Sequence, residues 1–340
     1  MSILNVNQIQ PVGSGQTVTI SATNIDTGSA TVTAGSVTSS GAVTAGSITV
    51  GNSVINTTSI GIGTTDTTGR DAGIGTALGA IIFNSTDNLL QVWSGSRWDT
   101  CSNLPFSATS PTVTADTASR PGWAVFSFTS PGSLVVSGQS GTVEYLVVAG
   151  GGGTGSGTDN REAGSGAGGM QTGTLTLSPG TYPVTVGGGG AGGVFETPNN
   201  GVPSVFNTVT SVGGGAGGCN DPAPTAGGSP GGSGGGAWYV NGTGGTGTAG
   251  QGNPGSPGFG SPEYGGAGGG AGGAGGRGTV NGPGSSSSIT GSSVTYAAGG
   301  VSSNFPGVNR TANGAANTGD GGSGSGSGGS GIVIIAYPTT

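Results

Sequence analysis

Among the large side chains in the glycine- and proline-rich background of the C-terminal half, seven are candidate contact residues: Trp238, Tyr239, Phe259, Tyr264, Arg277, Phe305 and Arg310. Aromatic faces and guanidinium groups give large contact areas for little lost side-chain entropy, which is the chemistry of recognition rather than of bond cleavage. Trp238-Tyr239 and Phe259 with Tyr264 are the first choices for contact, because they lie far from any predicted strand. The alternative is that such rings plug gaps between glycine segments or seal a seam between subunits, since the region has little other apolar bulk. Phe195 and Tyr296 stand in the same background and carry the same two readings.

Catalytic and metal chemistry find less material. The 340 residues contain no histidine and no lysine, and six arginines face thirteen carboxylates for a formal charge of -7. Without imidazole the usual general base near pH 7 and the commonest metal ligand are absent, so histidine triads and histidine-based zinc sites are excluded and no cofactor is expected. Asp159 with Glu162, or Glu263 beside Tyr264, could in principle cut a glycan, since two carboxylates suffice for that reaction. Nothing in their spacing supports it, and no Asp-x-Asp-x-Asp calcium loop occurs, so the chain reads as a non-enzyme. Patterns of the form GxGxxG recur from composition alone, with no following helix and no P-loop lysine. An acidic, lysine-free surface repels phosphate backbones, so nucleic acid is not an expected partner. Cys101 and Cys219 fit neither a small disulfide scaffold nor a metal quartet. Met1-Ser2-Ile3-Leu4-Asn5 has no basic or apolar leader region, and no stretch reaches the roughly 18 apolar residues of a membrane span. Synthesis in a cytoplasm, without a signal peptide and without membrane insertion, is the expectation.

The elements that must position these residues are strands. Thr, Val, Ser and Gly dominate, strong helix formers are scarce, and no apolar period of 3.6 persists, so the fold class is all-β. Residues 1–64 alternate in short runs such as Gln16-Thr17-Val18-Thr19-Ile20 and Val43-Thr44-Ala45-Gly46-Ser47-Ile48, and Thr-Ala-Gly-Ser recurs from Thr33 to Thr44. Units this small need stacked neighbours or identical chains, which points to a three-chain β-shaft and a homotrimer; a disordered Ser/Thr/Gly spacer is the alternative. Residues 65–114 form a hairpin module: strands over 80–83 and 89–93 flank a turn at Thr86-Asp87-Asn88, and a second turn brings back Arg97-Trp98. Trp93 and Trp98 could stack on a sugar, but beside a tight turn in a small module they read as core or subunit-interface packing.

Residues 115–340 hold most of the chain's 83 glycines, yet Val143-Glu144-Tyr145-Leu146-Val147-Val148 and Ile332-Val333-Ile334-Ile335-Ala336-Tyr337 bracket the richest stretch. A flexible linker does not need strands at both ends, and the pairing predicts a glycine-rich fold closed at its own base. Ordering that much glycine in regular elements carries a handicap on the order of tens of kcal/mol relative to alanine. Two effects reduce it: positive φ angles, and extended three-residue helices whose bare backbones approach until N–H and C=O groups pair between them. Packed polyglycine helices are therefore expected in preference to a floppy Gly/Ser tail. Strict glycine at every third position survives only briefly, as in Gly252-Asn253-Pro254-Gly255-Ser256-Pro257-Gly258, which argues against a collagen triple helix.

Two resemblances are specific. Ala80-Ile81-Ile82-Phe83-Asn84-Ser85-Thr86 followed by Leu90-Gln91-Val92-Trp93-Ser94-Gly95-Ser96-Arg97-Trp98 resembles the hairpin of bacteriophage fibre proteins, especially those of marine and cyanobacterial phages. Ser2-Ile3-Leu4-Asn5-Val6-Asn7-Gln8-Ile9 is similar to their N-termini. From about Ala115 the chain resembles the glycine-rich domain of phage tail adhesins. Trp123-Ala124-Val125-Phe126 through Leu134-Val135-Val136 matches its opening hairpin, and Glu144-Tyr145-Leu146-Val147-Val148-Ala149 the strand that launches the glycine loops. Leu177-Ser178-Pro179-Gly180-Thr181-Tyr182-Pro183-Val184 matches an internal hairpin, and Gly331-Ile332-Val333-Ile334-Ile335-Ala336 the closing strand. The resemblances imply an elongated virion fibre on tail or capsid, with residues 1–64 as attachment segment and shaft and 115–340 as a glycine-rich tip. Other virion proteins would hold the N-terminus, and the distal loops would meet a host-surface glycan or outer-membrane protein. A purely structural capsid or neck fibre is the alternative, with a glycan-depolymerising fibre third.

Overall fold

A computed structural model describes residues 64–71, 80–101, 105–156, 162–194, 198–219, 227–260, 264–302 and 311–339. The chain divides into two compact units, Met1–Gly61 and Ile62–Thr340. The first, with nearly all of the expected shaft, lies outside the described residues.

The second unit opens with the hairpin module. Strands β1 (Thr64–Thr65), β2 (Ile81–Asn84), β3 (Leu89–Trp93) and β4 (Trp98–Thr100) form one sheet in that order, with a single five-residue helix, α1 (Thr67–Asp71), between the first two. Asn88 takes φ 57° at the end of the turn between β2 and β3, a left-handed conformation that asparagine tolerates. Trp93 faces Trp98 across β3 and β4, with ring centroids 5.5 Å apart, so each ring packs on the other as a cross-strand pair. Asn84 is fully buried, and its Nδ2 donates to Asp87 Oδ2 at 2.8 Å and Gln91 Oε1 at 3.2 Å.

The rest of the unit is built on two antiparallel sheets. Its strands in chain order are β5 (Ser107–Thr109), β6 (Trp123–Phe128), β7 (Gly132–Ser137), β8 (Gly141–Val148), β9 (Gly155–Ser156), β10 (Met170–Leu177), β11 (Gly180–Thr185), β12 (Gly193–Val194), β13 (Ser204–Phe206), β14 (Val209–Ser211), β15 (Ser285–Ser287), β16 (Val294–Tyr296) and β17 (Ile332–Pro338). One sheet runs β10-β8-β17-β6 and the other β14-β13-β11-β7-β5; β9 with β12, and β15 with β16, form two-stranded pairs. The two apolar runs that bracket the glycines do pair: β8 and β17 are antiparallel, with Val148 opposite Ile332 and Glu144 opposite Ala336. Strand β5 lies ahead of Ala115, and the Tyr337 hydroxyl ties it in by accepting from Ala108 N–H at 3.1 Å.

Two segments that read as hairpins are corners instead. Strands β6 and β7 belong to different sheets, and so do β10 and β11. The alternating pattern is the same for a hairpin and for a chain that crosses between layers, but Pro131 and Pro179 stand in the connections, where a residue without an N–H loses no ladder bond.

The sheet containing β17 is buried on both faces. Val333, Ile335 and Tyr337 join Phe126, Phe128, Leu134, Val147 and Phe206 between the two sheets. The intervening Ile332, Ile334 and Ala336 join Leu146, Val148 and Met170 on the opposite face, under Ile289, Tyr296, Ala297 and Ala167. A strand covered on both sides has no solvent face to alternate with, which is why β17 reads as an unbroken apolar run.

Glycine segments form a bundle beside that sheet. In residues 163–169 the amides donate in rotation to three neighbours. Ala163, Gly166 and Gly169 bond the carbonyls of Gly218, Gly215 and Val212; Gly164 and Ala167 bond Gly266 and Gly269; Ser165 and Gly168 bond Gly322 and Gly319. A donor direction that repeats every third residue is the geometry of the left-handed three-residue helix, which has no internal hydrogen bonds and must find its partners outside itself. Residues 150–154 show the same rotation: Gly150 and Gly153 bond Val202 and Asn199, while Gly151 and Thr154 bond Gly329 and Gly326. The close approach requires glycine, since a Cβ on Gly164 would lie on the Gly300 carbonyl. Of the two effects expected to make glycine tolerable, main-chain pairing dominates, and few of the bundle glycines take positive φ.

Asp320 is a half-buried carboxylate set among the bundle segments. Burial pushes its carboxyl above the usual range, against hydrogen bonds with the Ala298 N–H and the Thr318 side chain that act the other way. A raised folded value means that the protonated acid is the form that folding favours. Its contribution is complete below the ordinary carboxylate range and is lost as pH rises through the folded value. Asp320→Asn keeps an acceptor for Ala298 without the charge, so it is expected to melt higher than the parent at pH 7, with the difference vanishing near pH 3 in paired thermal scans.

Candidate functional site

Three adjacent strands of the doubly buried sheet run directly into bundle segments: β8 leads into residues 149–154, residues 163–169 lead into β10, and residues 326–331 lead into β17. Gly169 therefore marks the sheet end of the bundle and Ala163 the far end. At the far end Gly164 donates to Gly266 O at 3.0 Å and accepts from Gly236 N–H at 2.8 Å, and Gly266 donates to Ala237 O at 2.7 Å. At about 3.1 Å per residue, this level lies roughly 20 Å from β10.

The aromatic residues singled out from sequence emerge there. Trp238 and Tyr239 follow Ala237 directly, with ring centroids 5.3 Å apart. Phe259 and Tyr264 exchange backbone bonds at 2.9 and 2.8 Å, which holds their rings 5.6 Å apart. The two pairs adjoin through the backbone, because a Cβ on Gly258 would strike the Tyr239 carbonyl. Arg277 bridges to Gly266 and brings its guanidinium carbon 5.4 Å from the centroid of the Phe259 ring. All four rings are half-buried and Arg277 is exposed, without an ion pair among the described residues. Five of the seven expected contact residues thus share one patch; Phe305 and Arg310, like Phe195, lie outside the described residues.

Trp238 Nε1 is enclosed and has no acceptor among the described residues. A buried indole N–H normally finds a partner, so this ring is not the optimised filler that pure packing would select. Glu162 is buried below the patch, where its backbone carbonyl accepts from the Ser302 hydroxyl at 2.8 Å. Asp159 and Glu263, its expected companions in glycan cleavage, fall outside the described residues. Among the described residues no group of three His, Cys, Asp or Glu side chains could hold a metal, and no helix is long and apolar enough to cross a membrane. Cys101 is exposed, Cys219 is buried, and no disulfide joins them.

Sequence reasoning missed a second group. The Arg120 guanidinium lies 3.5 Å over the Trp123 ring and donates to Glu144 Oε2 at 2.6 Å and Ile289 O at 3.3 Å. Asp116 braces the loop before it, accepting from Ala118 and Ser119 N–H at 2.8 and 3.0 Å. These bonds, the Ser119 side chain foremost, hold its carboxyl below the usual carboxylate range. No spacing cue existed, because Arg120 and Glu144 meet only through the sheet.

A sandwich whose strands continue into hydrogen-bonded glycine helices defines an all-β, glycine-rich protein. The glycine-rich domain family matches residues 129–338, and the chain belongs to that family. No curated protein matches the chain.

Proposed function

We propose that the chain is a bacteriophage virion fibre or adhesin that attaches to the host cell surface through the patch formed by Trp238, Tyr239, Phe259, Tyr264 and Arg277. The observation that carries the reading is the convergence of these five residues, from four separate stretches of chain, at the end of the bundle remote from the sheet. Rigid aromatic anchors with an arginine over one ring make a typical recognition patch, able to stack on a sugar face or engage a protein loop. The resemblance of the hairpin module and N-terminus to phage fibres supports the virion context. In this reading the chain acts as a homotrimer held to the particle by residues 1–64, with no catalytic step.

The test is labelling of host cells by the purified fluorescent protein. Trp238→Ala and Phe259→Ala are each expected to weaken labelling at least tenfold, while Val280→Ser, at the exposed Val280, leaves it unchanged. An ordered protein that labels no host cell and localises to the capsid in electron micrographs would instead be a structural decoration. Sedimentation at micromolar concentration is expected to give three chains per particle; a folded monomer would refute the trimeric shaft.

A further inference from the structure

Strand β10 is an edge strand, and a trough runs beside it. Two adjoining hollows, of about 420 and 390 Å3, share Thr172 as a common lining residue. The first is walled by Gln171, Gln251, Asn253 and Ser285, the second by Thr174, Ser287 and the Arg120–Glu144 pair. We propose that this trough is a binding site for a neutral oligosaccharide, separate from the aromatic patch and not dependent on it.

The chemistry of the walls selects the ligand. Gln171 Nε2 donates to Thr210 O at 2.7 Å, and Asn253 Nδ2 donates to Gly270 O and Ala271 O at 2.9 and 3.1 Å. Flipping either amide would break those bonds, so Gln171 Oε1 and Asn253 Oδ1 are fixed as acceptors, and neither meets a protein donor among the described residues. Gln251 between them is held at both ends, by Val212 N–H at 2.8 Å and Thr210 O at 3.1 Å. Met170 N–H donates away from β8 to Gln251 O, so the alternation of an antiparallel ladder turns the N–H and C=O groups of Thr172 and Thr174 off the open edge as well. The trough thus offers preset acceptors, hydroxyls of both characters and free backbone groups in a row. Its only charges neutralise each other at 2.6 Å. A chain of sugar hydroxyls complements such a surface, whereas anionic ligands find no unpaired cation. An extended peptide could use the same strand edge, but it needs apolar pockets for alternate side chains; the first hollow offers only Met170 and Ala271 and the second Tyr145 and Ile289, so the test includes a peptide as a competing ligand.

The test uses the full chain with cellohexaose, maltohexaose and chitohexaose, read by saturation-transfer NMR and calorimetry. At least one hexasaccharide is expected to bind. Thr172→Phe, which fills the trough from an exposed strand position with a residue of good β-propensity, should weaken binding at least tenfold, and Thr174→Phe should do likewise. Trp238→Ala should leave the affinity within twofold, which separates this site from the patch that cell labelling probes. The proposal is overturned by the absence of binding to all three sugars, by undiminished binding in folded Thr172→Phe and Thr174→Phe, or by an extended threonine-rich peptide binding where the sugars do not.

Discussion

Gly164→Ala is expected to leave little folded protein at room temperature, whereas Gly188→Ala should fold as well as the parent. A Cβ on Gly164 falls on the Gly300 carbonyl, with the Gly268 amide that donates to that carbonyl close behind, so both are backbone groups already committed to one another. To admit the methyl, residues 163–169 must withdraw from three neighbouring segments at once. Overpacking alone costs about 1–3 kcal/mol, and each main-chain bond stretched or broken adds about 0.5–1.5 kcal/mol. Together these approach the roughly 5–15 kcal/mol that holds a whole domain folded. Gly188 sits in the run 187–190, whose other three members all border backbone, yet a Cβ there meets open space at an allowed φ. Alanine at that position restricts the unfolded chain and can add about 0.4–1 kcal/mol of stability. Urea titrations of the two variants measure the contrast; equal midpoints would mean that the bundle is looser than its hydrogen bonds indicate.

How much of this was legible in the sequence depends on which interaction fixes each element. Strands β8 and β17 stood out because apolar runs of that length must be buried. The three-residue helices were legible as a class, since only main-chain pairing could order so much glycine, but their neighbours were not. Nothing in Gly164 distinguishes a partner at Gly266 from one at any other glycine, because contacts made by backbone leave no side-chain pattern to read. The patch was legible for the opposite reason: Trp238, Tyr239, Phe259 and Tyr264 are conspicuous in a background without bulk. Their convergence was not legible, being set by the bundle register. The trough left no trace, because threonine, serine, glutamine and asparagine are ordinary anywhere on a β surface, and only the fold aligns Gln171, Asn253 and Ser285.

Phe128→Ala is expected to destabilise the glycine bundle as strongly as the sandwich, although Phe128 touches only the sandwich interior. The ring is fully buried between the sheets, and its removal costs about 3–5 kcal/mol. If sandwich and bundle were independent, that loss would lower one transition and leave the other in place. They share a sheet, however: Leu146 and Val148 pack toward the bundle from the strand whose Val143 and Val147 pack into the sandwich, and β8, β10 and β17 continue as bundle helices. The helices cannot keep their register once those strands separate, because Gly150, Gly168 and Gly331 take their positions from the ends of the strands. Exchange of a sandwich amide such as Val135 and of a bundle amide such as Gly166 should therefore report one unfolding event. In Phe128→Ala the protection of both amides should fall by roughly a hundredfold or more, at about 1.4 kcal/mol per tenfold. Leu146→Ala, on the opposite face and expected to cost about 2–5 kcal/mol, should produce the same joint loss. Bundle amides that stay protected while Val135 loses protection would show instead that the glycine helices hold one another without the sheet.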